Sequence, residues 1–289
     1  MRFTISKLIF LLMVCLGFSA CSSVLYVPTD QMYVRPEHLN LKYQEITLTS
    51  QDKKIHGWHF TESQLKKPKG FLIFFHGNGQ NRSAHYLALS FMIEQGYDYF
   101  IFDYQGYGES EGRPSPEGTV QDGLAALHWF FETARLPRYH EVPLFVFAQS
   151  LGGAVALKSL EEYGAQDSEH SLTRLAGVAL DSTFLSYRKT GATLLSKHWF
   201  TYLFQPLSYL LLSDHWAPKA QLSSLPKTRY LVMHGDHDQT IDIQLGEDLF
   251  QSLPEPKRFL LIKDGTHISS LFIREGEYRD FFLKWLEAR

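Results

Sequence analysis

The sequence is poor in several features that mark particular classes of protein. It has two cysteines among 289 residues, and its 28 basic residues never form a run longer than a pair. Nucleic-acid binders gather lysine and arginine on a phosphate-binding surface, so this distribution and the net charge of -3 argue against that function. Internal repeats and low-complexity tracts are also missing. With 44% hydrophobic residues, the chain can bury a sizeable core.

The apolar stretch at the N-terminus, residues 8–18, is too short to span a bilayer comfortably. It follows Arg2 and Lys7, and small residues separate it from Cys21. This pattern resembles the lipobox of bacterial lipoprotein signal peptides. The resemblance implies that residues 1–20 are removed and that Cys21 carries lipid. A plain secretory peptide or a short anchor is the alternative.

Lipidation of Cys21 would leave no cysteine for a disulfide, because Cys15 lies in the removed segment. Ser22 stands where inner-membrane lipoproteins often have aspartate, and that resemblance favours the outer membrane, facing the periplasm. Residues 21–40 are expected to form a tether. The rest, residues 41–289, is expected to be one domain.

Strand-like runs alternate with helical stretches through this domain. Two alternating segments, residues 43–49 and 54–60, predict an antiparallel hairpin. Six continuous apolar runs then suit strands buried on both faces: FLIFFHG, YDYFIFDY, LFVFAQS, AGVALDS, RYLVMHG and RFLLIKDG. Helices are predicted over about residues 81–95, 117–133, 151–163, 242–253 and 275–287. The predicted fold class is α/β, with a doubly wound, mostly parallel sheet of about eight strands.

A long insertion interrupts the alternation at about residues 184–225 and contains HWFTYLFQPLSYLLL. Ligands bind at the carboxyl edge of such sheets, so we expect a helical lid over a ligand crevice, with extra core as the alternative. Its aromatic residues suit an apolar acyl or aryl group, although they also suit packing among themselves.

The segment FVFAQSLGGAV, residues 145–155, leaves no loop between a predicted strand and a predicted helix. Gln149 and Ser150 must make the whole turn, and so sharp a turn needs small neighbours, here Ala148 and Gly152. The pattern resembles the nucleophile elbow of the α/β-hydrolase superfamily, with alanine in place of the first glycine. Alone, a serine at this position is equally well a helix N-cap. The resemblance implies a nucleophile whose helix N-terminus favours negative charge.

Members of that superfamily supply the acid and the base after the serine in the chain. The HG-x-x-D block after RYLVMHG resembles the acid loop and implies Asp238 as the acid, with Asp236 as the alternative. His267 follows RFLLIKDG and is implied as the general base that takes the Ser150 proton.

The segment FFHGNGQN, residues 74–81, resembles the superfamily's HG-x oxyanion loop. The resemblance implies an oxyanion hole made by the backbone N–H groups of Leu151 and Asn78, with Gly79 as the alternative. A phosphate-binding loop is a weak alternative, because the Gly-Lys-Ser/Thr of that motif is missing.

The segment FDYQGYGESEGRPSPEG, residues 102–118, resembles a branch that groups serine aminopeptidase-like and depalmitoylating esterase-like hydrolases with lids. This resemblance covers roughly residues 55–287. The cluster HGDHD, residues 234–238, has the composition of a metal site, but its spacing fits no metallohydrolase pattern. We therefore expect no metal and no cofactor.

Together these features predict a lipid-anchored, monomeric serine hydrolase of small-molecule or acyl substrates. An ester or thioester is the expected bond, because an amide needs protonation of its leaving amine by the base. A peptidase of the aminopeptidase type and a non-catalytic, hydrolase-like envelope protein are the alternatives.

Overall fold

The structure is a computed structural model that describes residues 25–62, 64–197, 199–218 and 222–288. The predicted signal peptide and Cys21 lie outside the described residues. Within these ranges, every helix is too short or too polar to cross a membrane.

Eight strands of the described chain form one sheet, in the spatial order β1-β2-β4-β3-β5-β6-β7-β8. Strand β2 runs antiparallel to both β1 and β4, and the remaining neighbours are parallel. This topology confirms the predicted fold class. The strands are β1 (Tyr43–Ser50), β2 (Lys53–Phe60), β3 (Gly70–Phe75), β4 (Tyr97–Phe102), β5 (Leu144–Gln149), β6 (Leu175–Asp181), β7 (Arg229–Gly235) and β8 (Lys257–Ile262).

The burial of the strands explains their sequence patterns. Every residue of β3, β4 and β5 is buried, as expected for central strands covered on both faces. Edge strand β1 instead alternates between buried and exposed positions in its second half. The predicted hairpin is present, and each strand runs one residue further than expected, which leaves Gln51 and Asp52 as the turn.

Seven α-helices occur among the described residues. Helices α2, α3 and α6 pack on one face of the sheet, and α7 packs on the other. The helices are α1 (Arg82–His85), α2 (Pro116–Thr133), α3 (Leu151–Gly164), α4 (Tyr187–Ser196), α5 (Gln205–Leu211), α6 (Ile243–Ser252) and α7 (Glu277–Glu287).

The structure differs from the prediction of one helix over residues 81–95. Helix α1 has four residues and continues as a 3₁₀-helix over Tyr86–Met92. The buried side chains Tyr86, Leu89 and Met92 recur every third residue, which matches the three-residue turn of a 3₁₀-helix. Burial of this row therefore favours the tighter helix.

The insertion at residues 184–225 is helical in its described part. It holds α4, a 3₁₀ turn at Tyr202–Phe204, and α5. Helices α4 and α5 pack closely at Gly191, where a β-carbon would collide with the Leu212 side chain and crowd Ser208.

Candidate active site

Four loops that follow parallel strands bring most of the predicted site residues together. Asn78 follows β3, Ser150 follows β5, Asp238 follows β7 and His267 follows β8. Parallel strands end at the same edge of a sheet, so these loops meet there although they are distant in the chain.

Ser150 lies at the turn between β5 and α3 with φ 52° and ψ -122°, a backbone conformation that non-glycine residues rarely adopt. Two hydrogen bonds, one to the last residue of β6 and one from the loop that follows it, fix this turn. The Ser150 amide donates to the Asp181 carbonyl at 2.8 Å, and the Thr183 hydroxyl donates to the Ser150 carbonyl at 2.6 Å. The strained residue is thus held by the neighbouring strand.

Close packing explains the small residues around the turn. A β-carbon at Gly152 would collide with the backbone carbonyls of Phe75 and His76 at the end of β3. Ala148, which stands in place of the motif's first glycine, is fully buried in β5. Its methyl group fits there, so the departure from the motif leaves the turn intact.

Ser150, His267 and Asp238 form one continuous chain of hydrogen bonds. The Ser150 hydroxyl and His267 Nε2 are 2.9 Å apart, and His267 Nδ1 is 2.8 Å from Asp238 Oδ2. Since a carboxylate only accepts hydrogen bonds, Nδ1 carries the proton that it donates to Asp238. Nε2 is then free to accept the proton of the serine hydroxyl.

The Asp238 carboxylate is fully buried and fully hydrogen bonded. Its Oδ1 accepts from the backbone N–H groups of Thr240 and Ile241 at 2.8 and 2.9 Å. Burial acts to raise the pKa of Asp238, but the hydrogen bond and charge of His267 and the two amides outweigh it, so the pKa lies below its usual value. Asp238 therefore remains an anion beside His267.

Asp236, the alternative acid, has a different partner. Its Oδ1 is 2.8 Å from Nδ1 of the exposed His237. The carboxylate that contacts His267 is that of Asp238.

Asn78 and Leu151, which carry the two predicted oxyanion amides, line the same cavity as Ser150. The Gly79 amide donates to the Asn78 side chain at 2.9 Å and is therefore occupied. The Asn78 and Leu151 amides donate to no backbone or side-chain acceptor within the described chain outside the helix and strand ladders. Both are available to a ligand oxygen.

The side chain of Asn78 was not expected to take part in the site. Its Oδ1 accepts from the Val27 amide at 2.9 Å and from the Tyr107 hydroxyl at 2.7 Å, while its Nδ2 donates to the Leu25 carbonyl at 2.6 Å. The described part of the predicted tether is thus bound to the predicted oxyanion loop. Tyr26 anchors the same segment, because its side chain is buried in the core.

An apolar cavity of about 320 Å³ opens above Ser150. The N-terminal segment, the loop after β3, helix α4 and the loops after β7 and β8 all contribute to its lining. The lining residues are Leu25, Val27, Asn78, Gly79, Ser150, Leu151, Phe184, Tyr187, Thr190, Gly191, Leu194, Thr240, Ile241 and His267. A larger cavity of about 660 Å³ at the opposite edge of the sheet contains none of the predicted site residues.

Asp181, at the end of β6, is a second buried carboxylate that the sequence analysis did not single out. It accepts hydrogen bonds from the Ser270 hydroxyl at 2.6 Å and from Gln149 Nε2 at 3.1 Å. Burial raises its pKa. Because Ser270 lies three residues after His267, this bond ties the histidine loop to the sheet. In the sequence, the aspartate that ends the apolar run of AGVALDS was the signal that could have identified Asp181.

The HGDHD cluster is divided among separate contacts. The His234 ring is buried and its Nε2 donates to the Ile241 carbonyl at 2.9 Å, while Asp236 pairs with His237. Among the described residues, no group of three or more histidine, cysteine or acidic side chains is arranged to hold a metal ion.

Comparison with known proteins gives consistent similarities. Residues 66–210 match the family described as serine aminopeptidase, S33. The uncharacterized protein YfhR of Escherichia coli K12 is 31% identical over 271 residues, which cover 91% of this chain and 88% of YfhR. Protein bem46 of Schizosaccharomyces pombe is 27% identical over 209 residues, covering 71% of this chain and 64% of bem46.

A solved structure has the same fold. The esterase Pf2001 of Pyrococcus furiosus superposes with a TM-score of 0.68 and 19% identity, covering 91% of this chain and 97% of the esterase. At that identity, the likeness concerns the fold alone.

Proposed function

The chain belongs to the serine aminopeptidase S33 family of α/β-hydrolases, and on that premise we propose that it cleaves a carboxylic ester or thioester through an acyl-enzyme intermediate. One observation carries the proposal. The Ser150 hydroxyl, the His267 ring and the Asp238 carboxylate are hydrogen bonded in sequence beside an apolar cavity.

Acylation follows from this geometry. His267 Nε2 takes the hydroxyl proton as Ser150 Oγ attacks the substrate carbonyl, and Asp238 stabilises the imidazolium that forms. The strained turn presents Oγ at the N-terminus of α3, where the helix dipole favours the developing negative charge.

The tetrahedral oxyanion is expected to bind the amides of Asn78 and Leu151. The imidazolium then returns its proton to the leaving alcohol or thiol, and the carbonyl re-forms on Ser150. In the second half-reaction, His267 takes a proton from water, the hydroxide attacks the acyl group, and Ser150 recovers its proton as the acid leaves.

The lining of the cavity supports an acyl substrate. Leu25, Val27, Phe184, Leu194 and Ile241 give one end of a substrate an apolar environment beside the nucleophile. Such a surface binds a hydrocarbon chain by burial of apolar area. A peptide amino terminus would instead call for a carboxylate, and the cavity lining formed by the described residues has none.

A fluorophosphonate probe tests the serine chemistry. The unaltered protein should be labelled, Ser150→Ala should not, and the matched control Ser90→Ala should label normally. Folded protein that resists labelling would favour a non-catalytic envelope protein. Faster turnover of an aminoacyl amide than of a butyryl ester would favour the peptidase instead.

We further propose that residues 1–20 are a lipoprotein signal peptide and that lipidated Cys21 anchors a monomer to the outer membrane, facing the periplasm. The basic start, the short apolar stretch and the small residues before Cys21 support this. Cells fed an alkyne fatty acid should label the unaltered chain and Cys15→Ser but not Cys21→Ser. Labelling of Cys21→Ser would contradict the proposal.

A further inference from the structure

The lid presents an apolar surface to solvent. Residues 199–212 carry no charged side chain. Trp199 is 88% exposed, Leu203 84% and Leu210 77%. Contiguous exposed apolar residues on a soluble chain mark a surface that meets a partner or a membrane. This surface is named the lid patch and comprises Trp199, Tyr202, Leu203, Phe204, Leu207 and Leu210.

The lid patch follows, in the chain, a helix that lines the cavity of the candidate active site. Leu194 lines the cavity above Ser150 and is itself partly exposed, and Trp199 follows it closely in the chain. Val27, which lines the same cavity, is also exposed. Exposed apolar residues therefore occur both in the lining of the cavity and in the segment that follows α4.

The N-terminal segment indicates what covers this surface. Leu25 lines the cavity, and Cys21 precedes it by four residues. Four residues span at most about 14 Å when fully extended. If Cys21 carries lipid, the bilayer surface that holds the lipid lies within that distance of the cavity rim.

The composition of the lid patch suits that bilayer surface. Tryptophan and tyrosine are enriched at the level of the lipid head groups, and leucine and phenylalanine enter the acyl boundary below them. An apolar face beside a lipid anchor adds to the affinity that the anchor supplies.

We propose that the lid patch lies in the surface of the bilayer that holds the Cys21 anchor, and that the cavity receives an acyl ester directly from that bilayer. The proposal rests on the ester hydrolysis and the lipidation proposed above. The substrate class is then a membrane lipid or another ester whose acyl chain resides in the membrane.

Fluorescence quenching tests the docking without any turnover. Full-length anchored Ser150→Ala protein is reconstituted in phosphatidylethanolamine and phosphatidylglycerol vesicles that contain brominated acyl chains. Bromine quenches the fluorescence of nearby tryptophan. Introducing Trp199→Phe into the Ser150→Ala protein should therefore reduce the amount of fluorescence that the brominated lipid removes. Trp129 is partly buried and packs against the core, so the control Trp129→Phe should leave the amount of fluorescence removed by the brominated lipid unchanged. Equal quenching with and without Trp199 would overturn the proposal.

Hydrolysis tests the delivery of substrate. The double variant Leu203→Asp/Leu210→Asp should cleave a long-chain ester embedded in the vesicles at least about tenfold more slowly, which corresponds to about 1.4 kcal/mol. It should keep the unaltered rate on a soluble butyryl ester, which also shows that it folds. Leu136→Asp, an exposed leucine after α2 at the opposite edge of the sheet, should change neither rate.

The outcomes separate this proposal from the proposed function. Quenching that requires Trp199, combined with a failure of the protein with Ser150 intact to cleave either ester, would leave docking standing and refute ester hydrolysis. Cleavage of both esters at unaltered rates by the double variant would refute delivery and leave hydrolysis standing. A dimer that the double variant dissociates, without quenching of Trp199, would identify a second copy as the occupant and overturn the proposal.

Discussion

The side-chain amide of Asn78 donates a hydrogen bond to the backbone carbonyl of Leu25 at 2.6 Å, across 53 positions of the chain. The backbone amide of the same asparagine is a candidate oxyanion donor beside Ser150. One residue thus joins the N-terminal segment to the loop on which the proposed chemistry depends.

Replacement of Asn78 by alanine should lower kcat of ester hydrolysis by roughly tenfold or more, because a donor that is no longer held in place stabilises the oxyanion less. The backbone amide itself remains, so activity should fall without vanishing. Steady-state kinetics on a soluble ester measure the effect. Gln80→Ala, an exposed neighbour in the same loop, is the control and should keep full activity. An unchanged kcat in Asn78→Ala would show that its side chain does not position the loop.

Asp238→Asn should reduce kcat by roughly 10³ to 10⁴-fold, since the amide can hold His267 in the wrong tautomer and cannot stabilise its charge. Asp236→Asn should remain near the unaltered rate, because that carboxylate contacts His237 instead. Single-turnover release of a chromogenic alcohol distinguishes the two variants. The reverse order of effects would assign the acid to Asp236.

Much of the fold follows from local patterns in the sequence. Continuous apolar runs such as FLIFFHG occur because central parallel strands are covered on both faces. The positions of Ser150 and His267 follow from strand order, since parallel strands place their following loops at one edge. Strand order alone does not choose between Asp236 and Asp238, because the choice depends on which of two nearby carboxylates turns inward. The resemblance to the HG-x-x-D block implied Asp238, with Asp236 as the alternative, and the carboxylate that contacts His267 is that of Asp238.

Other features depend on contacts that no local pattern encodes. The hydrogen bond between Leu25 and Asn78 joins distant parts of the chain, and for that reason residues 21–40 were expected only to form a tether. The lid patch was equally hidden. An apolar segment without strict alternation does not show whether residues such as Trp199 and Leu203 are buried or exposed.

Gly152→Ala should abolish most activity and destabilise the fold, because the added methyl group would collide with the Phe75 and His76 carbonyls. Displacement of β3 from α3 would also separate the oxyanion loop from Ser150. Ala148→Gly is the matched exchange, and it should keep activity while lowering stability by about 1 kcal/mol, the usual difference between glycine and alanine within a regular element. Kinetics and urea unfolding measure both effects. An active, stable Gly152→Ala would show that the backbone yields there.

Asp122 is a buried carboxylate whose hydrogen-bond donors are all neutral groups. It is buried in α2, where it accepts from the Gln105 backbone N–H at 2.7 Å and from Gln105 Nε2 at 3.0 Å. Burial raises its pKa to about 6, against the opposing effect of the hydrogen bonds from Gln105. Between about pH 4 and pH 6, the folded protein therefore keeps a proton on Asp122 that the unfolded chain has lost.

This difference makes the free energy of unfolding increase as the pH falls from about 7 to about 4, by about 2 kcal/mol from this group alone. The sign follows because, in that interval, the folded state binds more protons than the unfolded state, whose aspartate titrates near 3.9. Asp122→Asn should weaken the dependence of the free energy of unfolding on pH. The control Glu117→Gln, at an exposed position of the same helix, should leave that dependence unchanged. Urea unfolding across that pH range measures the slopes. Parallel slopes for Asp122→Asn and the unaltered protein would show that Asp122 titrates in the folded state as it does in the unfolded chain.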